Sequence, residues 1–410
     1  MRIFAIVLLV AVTTLQAQHE LKVLGFTLPE GKTKVTIPIE IHNNLIVMPV
    51  VINGQLPMKF ILDTGVRTAI LTEKSYSDIL GLPYSRQLTI MGPGEQHFIT
   101  AYIANNVTIF IPPDVKGEGH ALLVLEKDYL ELRNFLGTEV HGVLGYELFS
   151  RFVVLIDYQN KFIELINPTV FKAKRKFQKL DISVEDTKPF LKTPVGLVKK
   201  KELKLLVDTG ASHGLMLDPE SDADIHVPEK NIETVIGRAL GGEITGRIGR
   251  VPSLDLGKYS FSNIITNYPD ANSYMDTLKA STVPRNGSLG GEVLSRFTVI
   301  FNYSGNKIYL HKNSSFKNEF QNNLSGITVK AKGSRLKAFE IIEVRTKSVA
   351  ERADIQKGDL LVNLNGNAIE TFNLNEINAI FNSKPGRKVT LIIDRAGEKI
   401  RKTITLEQEI

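Results

Sequence analysis

Apolar residues along this 410-residue chain recur chiefly with the two-residue period of half-buried strands, in short runs of Val, Ile, Phe and Thr separated by turn residues. Residues 34–41, 48–52, 107–111 and 152–156 are such runs. Asn53-Gly54, set between the run ending at Ile52 and the one starting at Met58, predicts a tight hairpin that returns the chain to Phe60-Ile61-Leu62-Asp63. Helical period is scarce. Short helices are expected at 147–152 and 292–297, where Glu147/Arg151 and Glu292/Arg296 stand at i, i+4 spacing. A longer amphipathic stretch at 374–381 puts Leu374, Ile377, Ile380 and Phe381 on one face.

The pattern also repeats. Phe60-Ile-Leu-Asp63-Thr64-Gly65 recurs as Leu205-Leu-Val-Asp208-Thr209-Gly210 at an offset of 145 residues. The segment from Gly142 through Val143-Leu144-Gly145 to Phe152 recurs at the same offset from Gly287 through Ser288-Leu289-Gly290 to Phe297. One duplication therefore covers roughly residues 30–313, which predicts two similar β-rich lobes at 19–170 and 171–313. A basic connector at 172–179 lies between them. Past an Asn- and Ser-rich linker at 314–325, strands at 339–344, 359–364 and 388–393 frame the 374–381 helix. Residues 326–410 thus read as a small α+β domain outside the repeat.

Composition narrows the chemistry. With 43% hydrophobic and 23% charged residues the chain is of ordinary globular make-up. The absence of Cys removes disulfides, thiolate metal sites and thiol nucleophiles. A net charge of +6, without a basic block interleaved with aromatics, gives no sign of nucleic acid as partner. Residues 1–18 read as a secretory signal: Arg2, an apolar core over 3–12, and small Ala17 near the end. The expectation is an exported protein, periplasmic or secreted, with no membrane anchor after cleavage.

Two Asp-Thr-Gly tripeptides at equivalent places in two similar lobes point to one shared site. Each apolar strand delivers an Asp to its end, and the Gly permits the turn behind it. Two carboxylates brought side by side cannot both ionise readily, so Asp63 and Asp208 would share a proton and offer an acid and a base together. Such a pair can hydrolyse an amide with neither metal nor cofactor. Thr64 and Thr209 are placed to donate hydroxyl hydrogen bonds across the lobe interface and, with Gly65 and Gly210, to form the supporting loops. Both aspartates lie in one chain, so a monomer suffices. The competing features are weaker: Ser288 sits in a Gly-rich stretch but matches Val143 in the repeat, and His213, five residues beyond Asp208, reads as a turn or strand residue.

These residues resemble the aspartic proteases of the pepsin and retropepsin kind, in which Asp-Thr-Gly is catalytic. Val143-Leu144-Gly145 and Ser288-Leu289-Gly290 resemble that family's hydrophobic-hydrophobic-Gly element, which passes behind the aspartate loop. The resemblance implies two homologous β-barrel-like lobes and substrate flaps around Gly92 and Gly94 and around Gly237 and Gly241. Val66 and Ala211 stand where pepsin-like enzymes carry a hydroxyl that favours the charged aspartate, which implies a less acidic pair and activity nearer neutral pH. Residues 348–366, with Gly358-Asp359 and Asn365-Gly366, resemble a PDZ domain of exported bacterial proteases. By that resemblance Lys337, Ala338, Phe339 and Ile341 would border a groove for an extended or C-terminal peptide, beside the 374–381 helix. The function implied is that of a secreted aspartic endopeptidase with a PDZ-like module for substrate recruitment or gating, acting on a peptide or protein substrate. The alternative is a non-catalytic peptide-binding scaffold.

Overall fold

The computed structural model describes residues 24–91, 98–271 and 283–410. The expected signal at 1–18 and the flap glycines Gly92 and Gly94 lie outside the described residues.

Each lobe is built on the strand that carries its aspartate. In the first lobe Leu45–Ile52 turns through Asn53 and Gly54, both at positive φ, into Leu56–Leu62. The twist of such a turn matches the strands it joins, and Val50 pairs with Met58. Leu56–Leu62 also pairs in parallel with Gly142–Leu144, so it is flanked on both sides; this is why Phe60-Ile61-Leu62 is apolar without alternation. The second lobe repeats the arrangement with Lys200–Val207 against Gly287–Leu289: Leu205 faces Gly287 as Phe60 faces Gly142.

A third sheet joins the lobes. Val153–Asp157 of the first lobe pairs antiparallel with Phe297–Asn302 of the second, Leu155 opposite Ile300. Those two residues are equivalents under the repeat, so the pseudo-twofold axis passes between them. The run expected at 34–41 is split for the same reason. Lys34–Pro38 joins this interlobe sheet, and Glu40–His42 turns away to pair with Leu45–Ile52. The two helices near 147 and 292 are single turns, Tyr146–Phe149 and Gly291–Leu294, cut short because Phe152 and Phe297 are drawn into the interlobe layer. Glu292 does pair with Arg296, at 3.7 Å. Glu147 instead reaches His120, at 3.1 Å.

Arg296 carries the connection to the third domain. Its guanidinium lies 3.7 Å from the centroid of the Phe320 ring and donates to the carbonyls of Ser315 and Asn318, fixing the linker to the second lobe. The α+β domain that follows is a sheet in the order Ile327–Lys332, Ala338–Val344, Leu360–Leu364, Lys388–Arg395, Glu398–Thr405. The helix Leu374–Phe381 covers it and buries Leu374, Ile377 and Phe381. A capping box starts that helix: Glu376 N–H donates to Asn373 Oδ1 at 3.0 Å, and Asn373 N–H to Glu376 Oε2 at 2.7 Å.

This order corrects the expected groove. The strand Ala338–Val344 is internal, paired with Ile327–Lys332 on one side and Leu360–Leu364 on the other. Phe339 and Ile341 point into the core, and Lys337 Nζ is bonded to the Phe372 carbonyl at 2.7 Å. An added peptide strand needs an open edge, and near this helix that edge is Ile327–Lys332.

Candidate active site

Asp63 and Asp208 follow the last residues of the two equivalent strands, where the parallel partner holds each backbone in place: Asp63 N–H donates to Leu144 O and Asp208 N–H to Leu289 O, both at 2.9 Å. Behind Asp63 the fit leaves no room for a side chain at Gly145, whose added Cβ would stand 2.0 Å from the Asp63 carbonyl oxygen. That contact gives the Gly of the hydrophobic-hydrophobic-Gly element its physical reason.

The two loops are locked to each other by their threonines. Thr64 N–H donates to Thr209 Oγ1 and Thr209 N–H to Thr64 Oγ1, each at 3.0 Å. The hydroxyls then donate onward, Thr64 to Val207 O at 2.7 Å and Thr209 to Leu62 O at 2.8 Å. All of this is buried, and it ties each aspartate strand to the opposite lobe. Inside each loop the Gly amide returns to its own aspartate: Gly65 to Asp63 Oδ1 at 2.6 Å and Gly210 to Asp208 Oδ1 at 2.9 Å.

The carboxyl groups meet. Asp63 lies against Gly210 of the opposite loop, where an added Cβ would stand 2.2 Å from Asp63 Cγ, and a Cβ on Gly65 would stand 3.0 Å from Asp63 Oδ1 and 3.8 Å from Asp208 Oδ1. Burial holds the Asp63 carboxyl well above the usual carboxylate range, the adjacent charge of Asp208 adds to this, and the Gly65 amide and the charge of Lys188 oppose it. The pair therefore retains one proton where isolated carboxyls would have lost both, and the proton belongs to the pair.

Around the pair the two lobes differ. His213 donates to or accepts from Ser288 Oγ at 2.8 Å, and burial pulls its imidazole down to about 4. The polar Ser288 in an otherwise apolar element is thus the partner of His213; the first lobe has Thr68 and Val143 at those places. Behind the loops Tyr303 stacks on Phe149 with centroids 5.4 Å apart, its hydroxyl buried without a hydrogen-bond partner among the described residues. The hydroxyl of its repeat equivalent Tyr158 is likewise buried with no partner among the described residues. Neither tyrosine stands out in the sequence, although their shared offset would have paired them.

Of the expected flap residues, Gly237 lies in the strand Ile232–Ala239, just after a register shift, and Gly241 in the turn that leads to Gly242–Leu256. Leu240 at that turn packs on an apolar cluster of the first lobe whose rim includes Val66, Tyr129 and Leu132. The hairpin of the second lobe thus reaches across to the apolar cluster of the first. Among the described residues no three His, Asp or Glu side chains converge as a metal site requires.

An aspartyl protease family model matches residues 48–148 and again residues 195–293, and a PDZ domain model matches residues 340–395. No curated protein matches the chain. Each aspartyl protease match spans one aspartate loop and the hydrophobic-hydrophobic-Gly strand behind it, and the PDZ match takes in the internal strand, the helix and the sheet strand that follows. The chain is therefore a duplicated aspartyl protease domain of the retropepsin-like kind with a PDZ domain at its C-terminal side.

Proposed function

We propose that the chain is an exported aspartic endopeptidase whose catalytic groups are Asp63 and Asp208. The observation that carries the reading is the approach of these two carboxyls, which both border the point where Gly65 would carry a Cβ, in loops cross-bonded through Thr64 and Thr209. With one proton between them, the ionised carboxylate removes a proton from a water held against the pair, and that water attacks the scissile carbonyl. The protonated carboxyl donates a hydrogen bond to the carbonyl oxygen as negative charge develops on it. The tetrahedral intermediate collapses when the departing nitrogen takes a proton from the pair, which restores the starting state. The pair gains one proton from the water and gives one to the nitrogen, so it ends with the single proton it began with and the step needs no further group.

The fold supports an extended peptide as substrate, since the aspartate loops meet where the two lobes join and the hairpin carrying Gly237 and Gly241 extends from the second lobe onto the first. The PDZ domain then serves recruitment or gating of that peptide. The test is cleavage of a random peptide mixture, read by mass spectrometry, by the protein and by its Asp208→Asn variant. Cuts present in the first and absent from the second are expected. Identical cuts in both would overturn the assignment to Asp63 and Asp208, and none from folded protein would overturn the reading and leave a peptide-binding scaffold.

A further inference from the structure

The open edge of the PDZ sheet is occupied by this chain itself. Ile341 gives its N–H to Asp359 O and its carbonyl to Gly358 N–H, both towards Leu360–Leu364. Its partner across the hairpin, Val329, and then Ala331 consequently turn their backbone polar groups to the outer edge. There the first lobe's helix Leu132–Leu136 is seated. Asn134 Nδ2 donates to Ala331 O at 2.8 Å, Arg133 to Ser334 O at 2.7 Å, and Lys330 Nζ holds both carboxylate oxygens of Glu131 at 2.7 Å. Gly137 ends the helix in the left-handed region against Leu374, the first residue of the PDZ helix; an added Cβ there would stand 2.6 Å from Leu374 Cβ.

The same short helix holds the hairpin of the second lobe. Arg238 lies 3.7 Å from Glu131 and places its guanidinium 4.6 Å from the centroid of the Phe135 ring, while Lys330 approaches that ring at 5.3 Å. The PDZ domain grips the hairpin's base directly too, Glu343 accepting from Thr234 Oγ1 at 2.9 Å and from Val235 N–H at 3.3 Å. Residues 131–135 are thus shared by two cations, one from the PDZ edge and one from the hairpin whose tip residue Leu240 packs on the apolar cluster of the first lobe.

We propose that the PDZ domain is a clasp that holds the cleft hairpin shut. Its edge strand secures residues 131–137, those residues secure Arg238, and an extended peptide pairing with Val329 and Ala331 must displace the helix and so release the hairpin. A peptide with a carboxylate placed to take over Lys330 from Glu131 fits that edge best. Coupling of this sort is reciprocal, so a substrate that lifts the hairpin also loosens the PDZ edge. The clasp rests on the proposed peptidase reading only for what it does to cleavage.

The test uses the full chain with Lys330→Glu and, separately, Asn134→Ala, and measures amide hydrogen exchange over 232–256 beside kcat/KM on a peptide cleaved by the unaltered protein. Exchange in the hairpin should accelerate at least about fivefold in Lys330→Glu, which at 1.4 kcal/mol per tenfold is about 1 kcal/mol, with kcat/KM rising alongside. A smaller change of the same sign is expected for Asn134→Ala. Faster exchange confined to 131–137 and the PDZ strands, with the hairpin unmoved, would overturn the clasp, as would a falling kcat/KM while hairpin exchange rises. If no form of the protein cleaves anything yet hairpin exchange accelerates, the clasp stands and the peptidase reading fails.

Discussion

The crossed threonines give the sharpest quantitative test of how the aspartate loops are held. Thr209→Val keeps shape and volume but removes the hydroxyl that accepts from Thr64 N–H at 3.0 Å and donates to Leu62 O at 2.8 Å. Thr64 and Thr209 are both 0% exposed, so water cannot take the hydroxyl's place. A buried backbone group left without its partner costs about 1–3 kcal/mol. Thr64 N–H loses its acceptor and Leu62 O one donor, so a loss of about 2–4 kcal/mol is expected, a large part of the roughly 5–15 kcal/mol that holds an ordinary domain. Thr209→Ser is the control: it keeps both bonds and gives up one buried methyl, about 0.8 kcal/mol. The chain has no Trp, so urea unfolding is followed by far-UV circular dichroism. In the peptidase assay Thr209→Val should also lose about 100-fold in kcat, as expected when a catalytic group drifts by an ångström, with a much smaller change for Thr209→Ser. If Thr209→Val proves as stable and as active as Thr209→Ser, the crossed hydroxyls do not hold the loops.

Two further outcomes follow from the same geometry. Because burial and the Asp208 charge raise the Asp63 carboxyl, the shared proton persists above the usual carboxylate range, so cleavage should peak at mildly acidic to neutral pH and fall as pH rises past the loss of that proton; a maximum well below pH 4 in a pH–rate profile would contradict this. The sign for stability is the same: the folded pair keeps a proton that the unfolded chain gives up at an ordinary carboxylate pKa, so this contribution is whole at low pH and is lost as pH climbs through the folded value. Tyr303→Phe removes a buried hydroxyl with no partner among the described residues, and should leave thermal stability unchanged or raise it by about 1 kcal/mol. A melting point clearly below that of the unaltered protein would show that the hydroxyl is satisfied by bound water.

That the two Asp-Thr-Gly loops meet was legible because their relation is written as a number. The offset that relates the two Asp-Thr-Gly loops in sequence is the 145-residue separation across which Thr64 and Thr209 bond each other. Strand alternation was legible too, but alternation records which face of a strand is buried and says nothing of its neighbours. The run at 34–41 looked continuous although it serves two sheets, and nothing in Val153–Asp157 announced Phe297–Asn302 as its partner. The PDZ groove was misplaced for this reason. Ile327–Lys332 and Ala338–Val344 alternate equally well, and only the sheet order shows which of them is the edge. Residues 131–137 carried no signal at all: a five-residue helix has no measurable period, and its meaning lies in Lys330 and Arg238, both far away in the chain.

The duplication supplies two equal aspartates, whereas the chemistry proposed for them requires two unequal protonation states, so the inequality has to come from residues that the repeat does not share. Two stand near enough to act. His213 sits beside Asp208 where the first lobe has Thr68, and Lys188, whose charge reaches Asp63, is matched in the first lobe by Asn43. The imidazole, pulled down to about 4 by burial, is neutral in the range where the pair shares its proton, so it offers Asp208 no cation and is held by Ser288. Lys188 favours charge on Asp63, and the Gly65 amide at 2.6 Å, shorter than the 2.9 Å of its counterpart, pulls the same way. Burial and the charge of Asp208 pull the other way and prevail, which leaves the proton with the pair and its residence open to small changes in the surroundings. Symmetry thus fixes where the two carboxyls stand, and the unshared neighbours bias how the proton between them is divided.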